Sequence, residues 1–288
     1  MKHWLLPLAA LALSMPVLAE DEKADPAPAP SPNEILNAAP QSDWSVIAPA
    51  DLLIMTLAPD GEGNARQVII QLMPAPFSQG WVSNIRTLAR AEWYDGTSVN
   101  RVQDNYVVQW GDPNYDNPEA GGEAKPLPEG LRVMDESEYA SMVNDEMMEQ
   151  FAQELAHALK DGPTGWTADP SKAAASIDDA RKIENRLSRD PYSQFNIPYL
   201  GWPIAFGDLV EAWPVHCYGM VGVGRNYSPD TSSGAELYTV IGHAPRHLDR
   251  NIALVGRIIE GMEHLSSLPR GKGALGFYTK EEADKRTP

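Results

Sequence analysis

The chain has 288 residues, with 40 acidic and 23 basic side chains and a formal net charge of −17. Nucleic acids and anionic membrane surfaces bind clusters of Lys and Arg, so this excess of carboxylates argues against both as partners. Hydrophobic residues make up 43% of the chain, which is enough for a buried core, and 25 prolines with 22 glycines favour many turns and short strands. Cys217 is the single cysteine, which excludes a disulfide within the chain, and we expect it to be a small buried hydrophobic residue.

The N-terminal residues have the pattern of an export signal followed by a linker. Lys2 begins a short basic start, an apolar run follows, and Val17 and Ala19 occupy the small-residue positions of a signal-peptidase site. The apolar run is too short to span a bilayer. We therefore predict a cleaved signal peptide at residues 1–19, a polar linker at 20–43, and a mature protein in the periplasm without a membrane segment.

A β-rich block follows the linker. Residues 52–57 and 67–72 are β-type runs joined by a Pro-Asp-Gly-Glu-Gly-Asn segment, which predicts a hairpin. Residues 81–90 place apolar side chains at helical spacing. Residues 98–102 and 106–109 are two further strand candidates. The order of these elements indicates a mainly β domain.

Between residues 117 and 200 the pattern becomes helical. Asp135 begins a capping box before an apolar helical stripe, and Asp169 with Pro170 can start a second helix. We predict a helical insertion that packs mostly on itself and can be removed without loss of the surrounding fold. The alternative is that its apolar side chains cover the surface of the β-rich part. The stripes consist of Tyr139, Val143, Met147, Phe151, Leu155 and Leu159 in the first helix, and of Ile177, Ala180, Ile183 and Leu187 in the second.

A second β-rich block occupies the C-terminal part. Residues 215–223, 236–241 and 251–255 are β-type runs, a short helix is predicted around Met262, and residues 274–278 are the last strand candidate. The predicted divisions are the signal peptide at 1–19, the linker at 20–43, a first β part at 44–116, the helical insertion at 117–200 and a second β part at 201–288.

Three patterns that could bind a metal or a nucleotide are weak. His243 and His247 have the spacing of a metal-binding pair, but Pro245 lies between them. The calcium-loop spacing that starts at Asp112 has no glycine at its sixth position. The Gly-rich run at 219–224 lacks the helix and the distant acidic residue of a dinucleotide site. We therefore expect neither a metal nor a cofactor.

Three segments together resemble the cyclophilin family of peptidyl-prolyl cis/trans isomerases. Residues 94–112 follow the order and spacing of the family's Tyr-Asp-Gly turn, its strand with an arginine, and its later Gln and Gly-Asp. Residues 219–224 with 233–238, and residues 248–262, are similar to two later family segments. The resemblance implies a mainly β fold, a closed antiparallel cyclophilin-like β-barrel with two capping helices, here with a helical insertion. It also implies that the partners are proline-containing unfolded or extended polypeptides.

The same resemblance implies a site. Arg101 matches the family's catalytic arginine, and a guanidinium suits the stabilisation of a twisted prolyl amide because it stays charged and carries several fixed donors. Gln109 matches the glutamine that holds the substrate backbone and orients the arginine, since its amide can donate and accept at once. The predicted substrate-binding residues are Tyr106, Val107, Glu236, Tyr238, His247 and Leu248.

Several of these positions depart from the family pattern. Asn100 and Ile252 each replace a histidine, and His247 replaces a tryptophan. Glu236 replaces a glutamine, which exchanges a donor for a group that only accepts and can draw Arg101 into an ion pair. The leading prediction is a peptidyl-prolyl isomerase that assists the folding of exported proteins. The alternatives are a proline-segment-binding or chaperone-like module on the same barrel, and an assembly protein whose main surface is the helical insertion.

Overall fold

The computed structural model describes four stretches of the chain, residues 29–115, 120–160, 190–207 and 210–285. The chain divides into two compact units, Met1–Val46 and Ile47–Pro288. In the described part of the first unit, helix α1 (Pro32–Ala38) begins with a capping box between Ser31 and Glu34. The predicted signal peptide lies outside the described residues. None of the described helices is long and apolar enough to cross a membrane.

The largest element of the second unit is an antiparallel sheet of seven strands. Numbered in chain order with the strands introduced below, they are β1 (Leu52–Leu57), β2 (Arg66–Leu72), β3 (Ser98–Gln103), β4 (Val107–Gly111), β9 (Met220–Val223), β10 (Leu237–Val240) and β11 (Leu254–Glu260). Their hydrogen-bonded order is β1-β2-β11-β9-β10-β4-β3. The predicted hairpin of β1 and β2 is confirmed. Strand β9 is shorter than predicted because backbone hydrogen bonds at Cys217 form turns before it.

The seven-stranded sheet is open. Strands β1 and β3 form its two edges, so the described strands make a curled half-barrel rather than the predicted closed barrel. Residues 274–278, the last strand candidate, meet β3 through a single bridge between Arg101 and Phe277. Leu275 has a φ of 54° inside a 3-10 turn, which bends this segment out of strand geometry. The closed barrel with two capping helices is therefore not confirmed.

Helix α2 (Gln79–Arg90) packs its apolar side on the seven-stranded sheet, as its spacing predicts. Trp81 and Ile85 are fully buried and belong to the same core cluster as side chains of β2. Two one-turn helices follow later in the chain, α4 (Met262–Ser266) and α5 (Lys280–Asp284). The first of these confirms the helix predicted around Met262.

Four further strands form a second antiparallel sheet that the sequence analysis did not predict. Its hydrogen-bonded order is β5-β8-β7-β6, formed by β5 (Ser141–Met142), β6 (Phe195–Tyr199), β7 (Trp202–Gly207) and β8 (Glu211–Pro214). Strands β6 and β7 are joined by Leu200 and Gly201, which have φ angles of 50° and 75°. Two consecutive residues with positive φ are typical of the tight turns that match the twist of a hairpin.

Helix α3 (Asp145–Lys160) begins later than predicted. The capping box at Asp135 starts only a 3-10 turn at Glu136–Tyr139, and the chain then extends into β5. Asn144 starts the helix instead, because its side-chain oxygen accepts the Met147 backbone N–H at 2.9 Å. The second helix predicted for the insertion lies outside the described residues.

The two sheets share one hydrophobic core. Tyr139 stacks on Trp81 with ring centroids 5.4 Å apart, and Tyr199 meets Phe77 edge-on at 6.2 Å. Met147 of α3 is fully buried in the same cluster. The expectation that the insertion packs mostly on itself is therefore wrong for its described residues, because its side chains fill the core beside α2. The division of the chain into domains at the boundaries given above stays a prediction.

Candidate active site

Strands β3 and β4 place Arg101 opposite Gln109, since their register pairs these two residues. The Arg101 Nη1 donates to Gln109 Oε1 at 3.3 Å, and its Nε donates to the Leu275 carbonyl oxygen at 2.7 Å. Its Nη2 donates to the side-chain oxygen of Gln103 on the same strand. Three acceptors from the protein therefore fix the plane of the guanidinium.

Two aromatic rings flank this guanidinium. The Arg101 Cζ lies 5.6 Å from the ring centroid of Tyr106 and 5.4 Å from that of Phe277, both within the range of a cation–π interaction. Burial lowers the pKa of Arg101 and raises the pKa of the Tyr106 hydroxyl. A guanidinium stays charged through such a change because its ordinary pKa is so high. The site therefore holds a fixed cation that is partly shielded from water.

A cavity of about 380 Å³ opens beside Arg101. Six of the eight predicted site residues line it, and Ile252 completes the apolar part of its wall. A concave wall of aromatic and aliphatic side chains can bury a small apolar ring, while a few polar groups at the edge orient the rest of the ligand. The six predicted residues brought together here are Arg101, Tyr106, Val107, Gln109, Tyr238 and Leu248.

The Tyr238 ring forms part of this wall and lies close to the backbone of the neighbouring strand. The register of β9 and β10 pairs Tyr238 with Gly222. A Cβ atom at position 222 would lie 2.4 Å from the Tyr238 Cζ, a distance that real contacts do not show. Glycine at position 222 therefore permits the close approach of ring and strand.

Glu236 lies beneath the cavity and does not line it. Its residue is 2% exposed, and its Oε2 accepts a hydrogen bond from Gln109 Nε2 at 3.5 Å. The Gln109 amide thus presents its oxygen to Arg101 and its nitrogen to Glu236. The predicted contact of Glu236 with a substrate backbone is not supported by this position, because its carboxylate is buried under the amide.

His247 also lies outside the cavity lining. Its ring stacks on the Tyr106 ring, with centroids 6.2 Å apart and an angle of 9° between the planes. This contact restrains the Tyr106 ring. A role in holding the wall fits the position of His247 better than the predicted contact with substrate.

The residues at the rim of the cavity were not predicted from the sequence. On one side Arg225 donates to the Asn251 side-chain oxygen at 2.5 Å, and the neighbouring Tyr227 is 92% exposed. On the other side Leu275 and Phe277 line the cavity although Leu275 is 174 positions from Arg101 in the chain. The Gly-rich run just before Arg225 could have indicated that this segment lies at the cavity. No local sequence pattern indicates that Leu275 and Phe277 lie there.

Two larger cavities, of about 520 and 540 Å³, lie between the edge strands β1 and β3. Leu57 and Val99 line both of them, and neither includes Arg101 or Gln109. Their size reflects the open side of the sheet and does not mark a catalytic centre. Within the stretches that the structure describes, no group of three or more His, Cys, Asp or Glu side chains is arranged to hold a metal ion.

The family model described as cyclophilin type peptidyl-prolyl cis-trans isomerase/CLD matches residues 67–284. No curated protein matches the chain. A similar solved structure is that of cyclophilin AquaCyp293 from Hirschia baltica, with a TM-score of 0.49 and 20% sequence identity, over 85% of this chain and 78% of that one. The family match covers most of the chain, including all but the first residue of β2, the Arg101 strand and every element that lines the cavity. The chain therefore belongs to the family of cyclophilin-type peptidyl-prolyl cis-trans isomerases.

Proposed function

We propose that the protein isomerises Xaa-Pro peptide bonds in unfolded or extended exported polypeptides, and that Arg101 stabilises the twisted amide. The observation that carries this proposal is the Arg101 guanidinium, held by three acceptors and two aromatic rings at a cavity with a partly apolar wall. The reaction is a bond rotation, so it needs no nucleophile and no redox group.

The chemistry explains why a cation is useful. Rotation about the peptide C–N bond has a barrier of about 18–20 kcal/mol because resonance gives this bond partial double-bond character. As the bond twists, the prolyl nitrogen becomes pyramidal and its lone pair can accept a hydrogen bond. A donor that binds this nitrogen only in the twisted state stabilises the transition state and leaves the ground state unchanged. Arg101 supplies such a donor.

The remaining residues have supporting roles in this mechanism. Val107, Tyr238 and Leu248 form the apolar wall that would hold the proline ring while the acyl side rotates. Gln109 keeps the Arg101 guanidinium in place through its side-chain oxygen. Rotation about the Xaa-Pro bond requires that the proline ring is held while the carbonyl of the preceding residue is free to turn.

The test of this mechanism is a protease-coupled assay of cis-to-trans conversion in a proline tetrapeptide. Arg101→Ala should lower kcat/KM at least about tenfold, which is roughly 1.4 kcal/mol of lost transition-state stabilisation. Arg101→Lys should be intermediate, because it keeps the charge but loses the fixed fork of donors. Wild-type rates in a correctly folded Arg101→Ala protein would contradict the proposal.

Arg270→Ala is the matched control. Like Arg101, Arg270 is held by three protein acceptors, Asp104 and the carbonyl oxygens of Ser266 and Leu268, but it does not line the cavity. This variant should keep wild-type kcat/KM. Equal losses in both variants would show that the effect comes from general destabilisation.

Export is part of the proposal and rests on the N-terminal pattern. Uncatalysed Xaa-Pro isomerisation takes about 10–100 s, so it can limit the folding of newly exported chains. Mass spectrometry of the protein purified from a periplasmic fraction should find a mature N-terminus at Glu20. An uncleaved protein confined to the cytoplasm would contradict export.

A proline-binding module with little catalysis is the second candidate. It is favoured by the three bonds from Arg101 to protein acceptors, which leave only two of the five guanidinium N–H donors for a substrate. In that case the wild-type protein binds proline peptides in calorimetry but does not accelerate their isomerisation. Measuring binding and rate on the same peptide separates the two candidates.

A further inference from the structure

A buried hydrogen-bonded chain begins at the cavity wall. The Tyr238 hydroxyl lies 2.8 Å from His216 Nε2, and His216 is 0% exposed. The two rings are almost parallel, at 10°, so the hydroxyl and the ring nitrogen meet edge to edge. The side of Tyr238 that faces away from the cavity is thus tied to a histidine on the segment before β9.

Asp249 fixes the state of His216. Its Oδ1 lies 2.8 Å from His216 Nδ1 and also accepts the His216 backbone N–H at 3.1 Å. Arg246 Nε donates to the other oxygen of Asp249 at 2.6 Å. A carboxylate oxygen accepts only, so Nδ1 carries the proton, and Nε2 of the neutral ring accepts from the Tyr238 hydroxyl. Burial lowers the pKa of His216, which favours this neutral ring.

The series of hydrogen-bonded side chains continues beyond Arg246 to the segment that precedes β6. Arg246 forms an ion pair with Asp190, whose oxygens also accept from the Ser193 hydroxyl at 2.8 Å and from the Asn196 amide at 2.6 Å. Five side chains in contact therefore connect the cavity wall with the turn before the four-stranded sheet.

We propose that His216 and Asp249 are positioning residues that hold the Tyr238 ring in one orientation as the wall that contacts proline. An apolar wall needs only the ring, so the hydroxyl and its buried partners require another explanation. A histidine and a carboxylate buried in the core stabilise a fold poorly by themselves, because each loses its hydration. Their complete mutual hydrogen bonding allows the phenol only one orientation. This inference rests on the proposed function of the cavity.

The test is a double-mutant cycle on the full chain. Tyr238→Phe keeps the ring and removes the hydroxyl, and His216→Leu removes the acceptor. Each should raise KM for the proline tetrapeptide, and the Kd of a non-cleavable proline peptide, about fivefold, as expected for one hydrogen bond, with little change in kcat. The double variant should fall well short of the product of the two effects, since both changes break the same contact.

His216→Gln is the conservative variant, because its side-chain oxygen can accept from the Tyr238 hydroxyl. It should recover most of the affinity that His216→Leu loses. Thr239→Val is the control on the same strand, since it also removes a buried hydrogen bond, from Thr239 to the Met220 carbonyl oxygen, away from the cavity. It should lower the melting temperature and leave KM unchanged.

Two results would overturn the inference. One is a folded Tyr238→Phe protein with wild-type KM and Kd. Because this variant is nearly isosteric, we expect it to fold, and it tests the inference even if His216→Leu does not fold. The other is full additivity in the cycle. The proposed function is tested separately by the wild-type rate and by Arg101→Ala, because the Kd values report on the wall even if the wild-type protein does not accelerate isomerisation.

Discussion

The two sheets of the second unit contribute differently to the cavity. The seven-stranded sheet carries Arg101, Gln109 and Tyr238 into its wall, whereas strands β5 to β8 place no described side chain there. The four-stranded sheet fills the core beside α2 instead, and the turn before it holds Asp190 against Arg246. The comparison indicates that one sheet carries the proposed chemistry while the other supports it from behind.

The largest expected effect on stability concerns Tyr199 in the four-stranded sheet. Its ring is 2% exposed and packs edge-on against Phe77. Tyr199→Ala should lower the free energy of unfolding by about 3 kcal/mol, as for other large aromatic residues truncated in a core. Chemical denaturation followed by circular dichroism measures this loss. Below the melting transition, KM and kcat should stay near the wild-type values.

Tyr227→Ala is the control for this loss of stability, because it truncates an exposed tyrosine on the rim of the cavity instead of a buried one. Tyr227 is 92% exposed, so its removal should leave the unfolding free energy unchanged within about 0.5 kcal/mol. If Tyr199→Ala changes peptide affinity as strongly as stability, the division between a chemical and a supporting sheet does not hold.

The acid stability of the protein should depend on the junction between the two sheets. Burial alone would raise the pKa of Asp190, but hydrogen bonds from the Tyr192 amide and the side chains of Asn196, Ser193 and Arg246 lower it to about 2. Because the ordinary value is 3.8, the carboxylate contributes stability above that pH, and this contribution is lost as the pH falls from 3.8 towards 2.

Asp190→Asn removes this contribution. Its melting temperature should be lower than that of the wild-type protein near neutral pH, by on the order of a few degrees, and the two should converge as the pH falls through the same window. His216 also contributes to the pH dependence, because its lowered pKa makes the stability decrease as the pH falls below about 6.5. This contribution is the same in both proteins, so it does not change the difference between them. Melting curves that stay parallel down to the lowest pH would show that Asp190 does not stabilise the junction.

The smallest expected effect concerns Glu236, under the cavity. Glu236→Gln keeps an acceptor for Gln109 and removes a negative charge near Arg101, so peptide affinity should rise by about fivefold, or roughly 1 kcal/mol. Glu236→Ala should lower affinity instead, because Gln109 then loses the contact that orients its amide. Titration calorimetry with one proline peptide compares the two. A loss of affinity in both variants would mean that the carboxylate charge itself supports binding.

Local sequence patterns predicted the parts of the fold that local physics decides. The turn between β1 and β2 is held by Asp60, whose Oδ1 accepts the backbone N–H groups of Glu62 and Asn64, and the sequence shows this turn directly. Helix α2 follows from the spacing of its apolar side chains. The motif around Arg101 led to four residues of the cavity wall that lie on β3, on β4 and in the turn between them, namely Arg101, Tyr106, Val107 and Gln109.

Contacts between distant segments could not be predicted in this way. The Leu275 carbonyl oxygen reaches Arg101 across 174 positions, and no local pattern indicates that pairing. The buried position of the Glu236 carboxylate depends on the glycine at 111, because a Cβ atom there would lie 2.2 Å from the Glu236 Oε1. The four-stranded sheet was missed because the predicted boundary between the helical insertion and the second β part, at residues 200 and 201, divides the turn that joins β6 and β7.

The close approach of Gly222 to Tyr238 has a consequence for ligand size. Residue 222 does not line the cavity, yet a methyl group there would collide with the phenol ring that forms part of the wall and would force this ring to shift. The absence of a side chain at residue 222 on the neighbouring strand thus controls where the Tyr238 ring can lie in the cavity wall. Discrimination between proline and bulkier N-alkylated residues can therefore be altered from the second layer of the wall, at a position that no ligand touches.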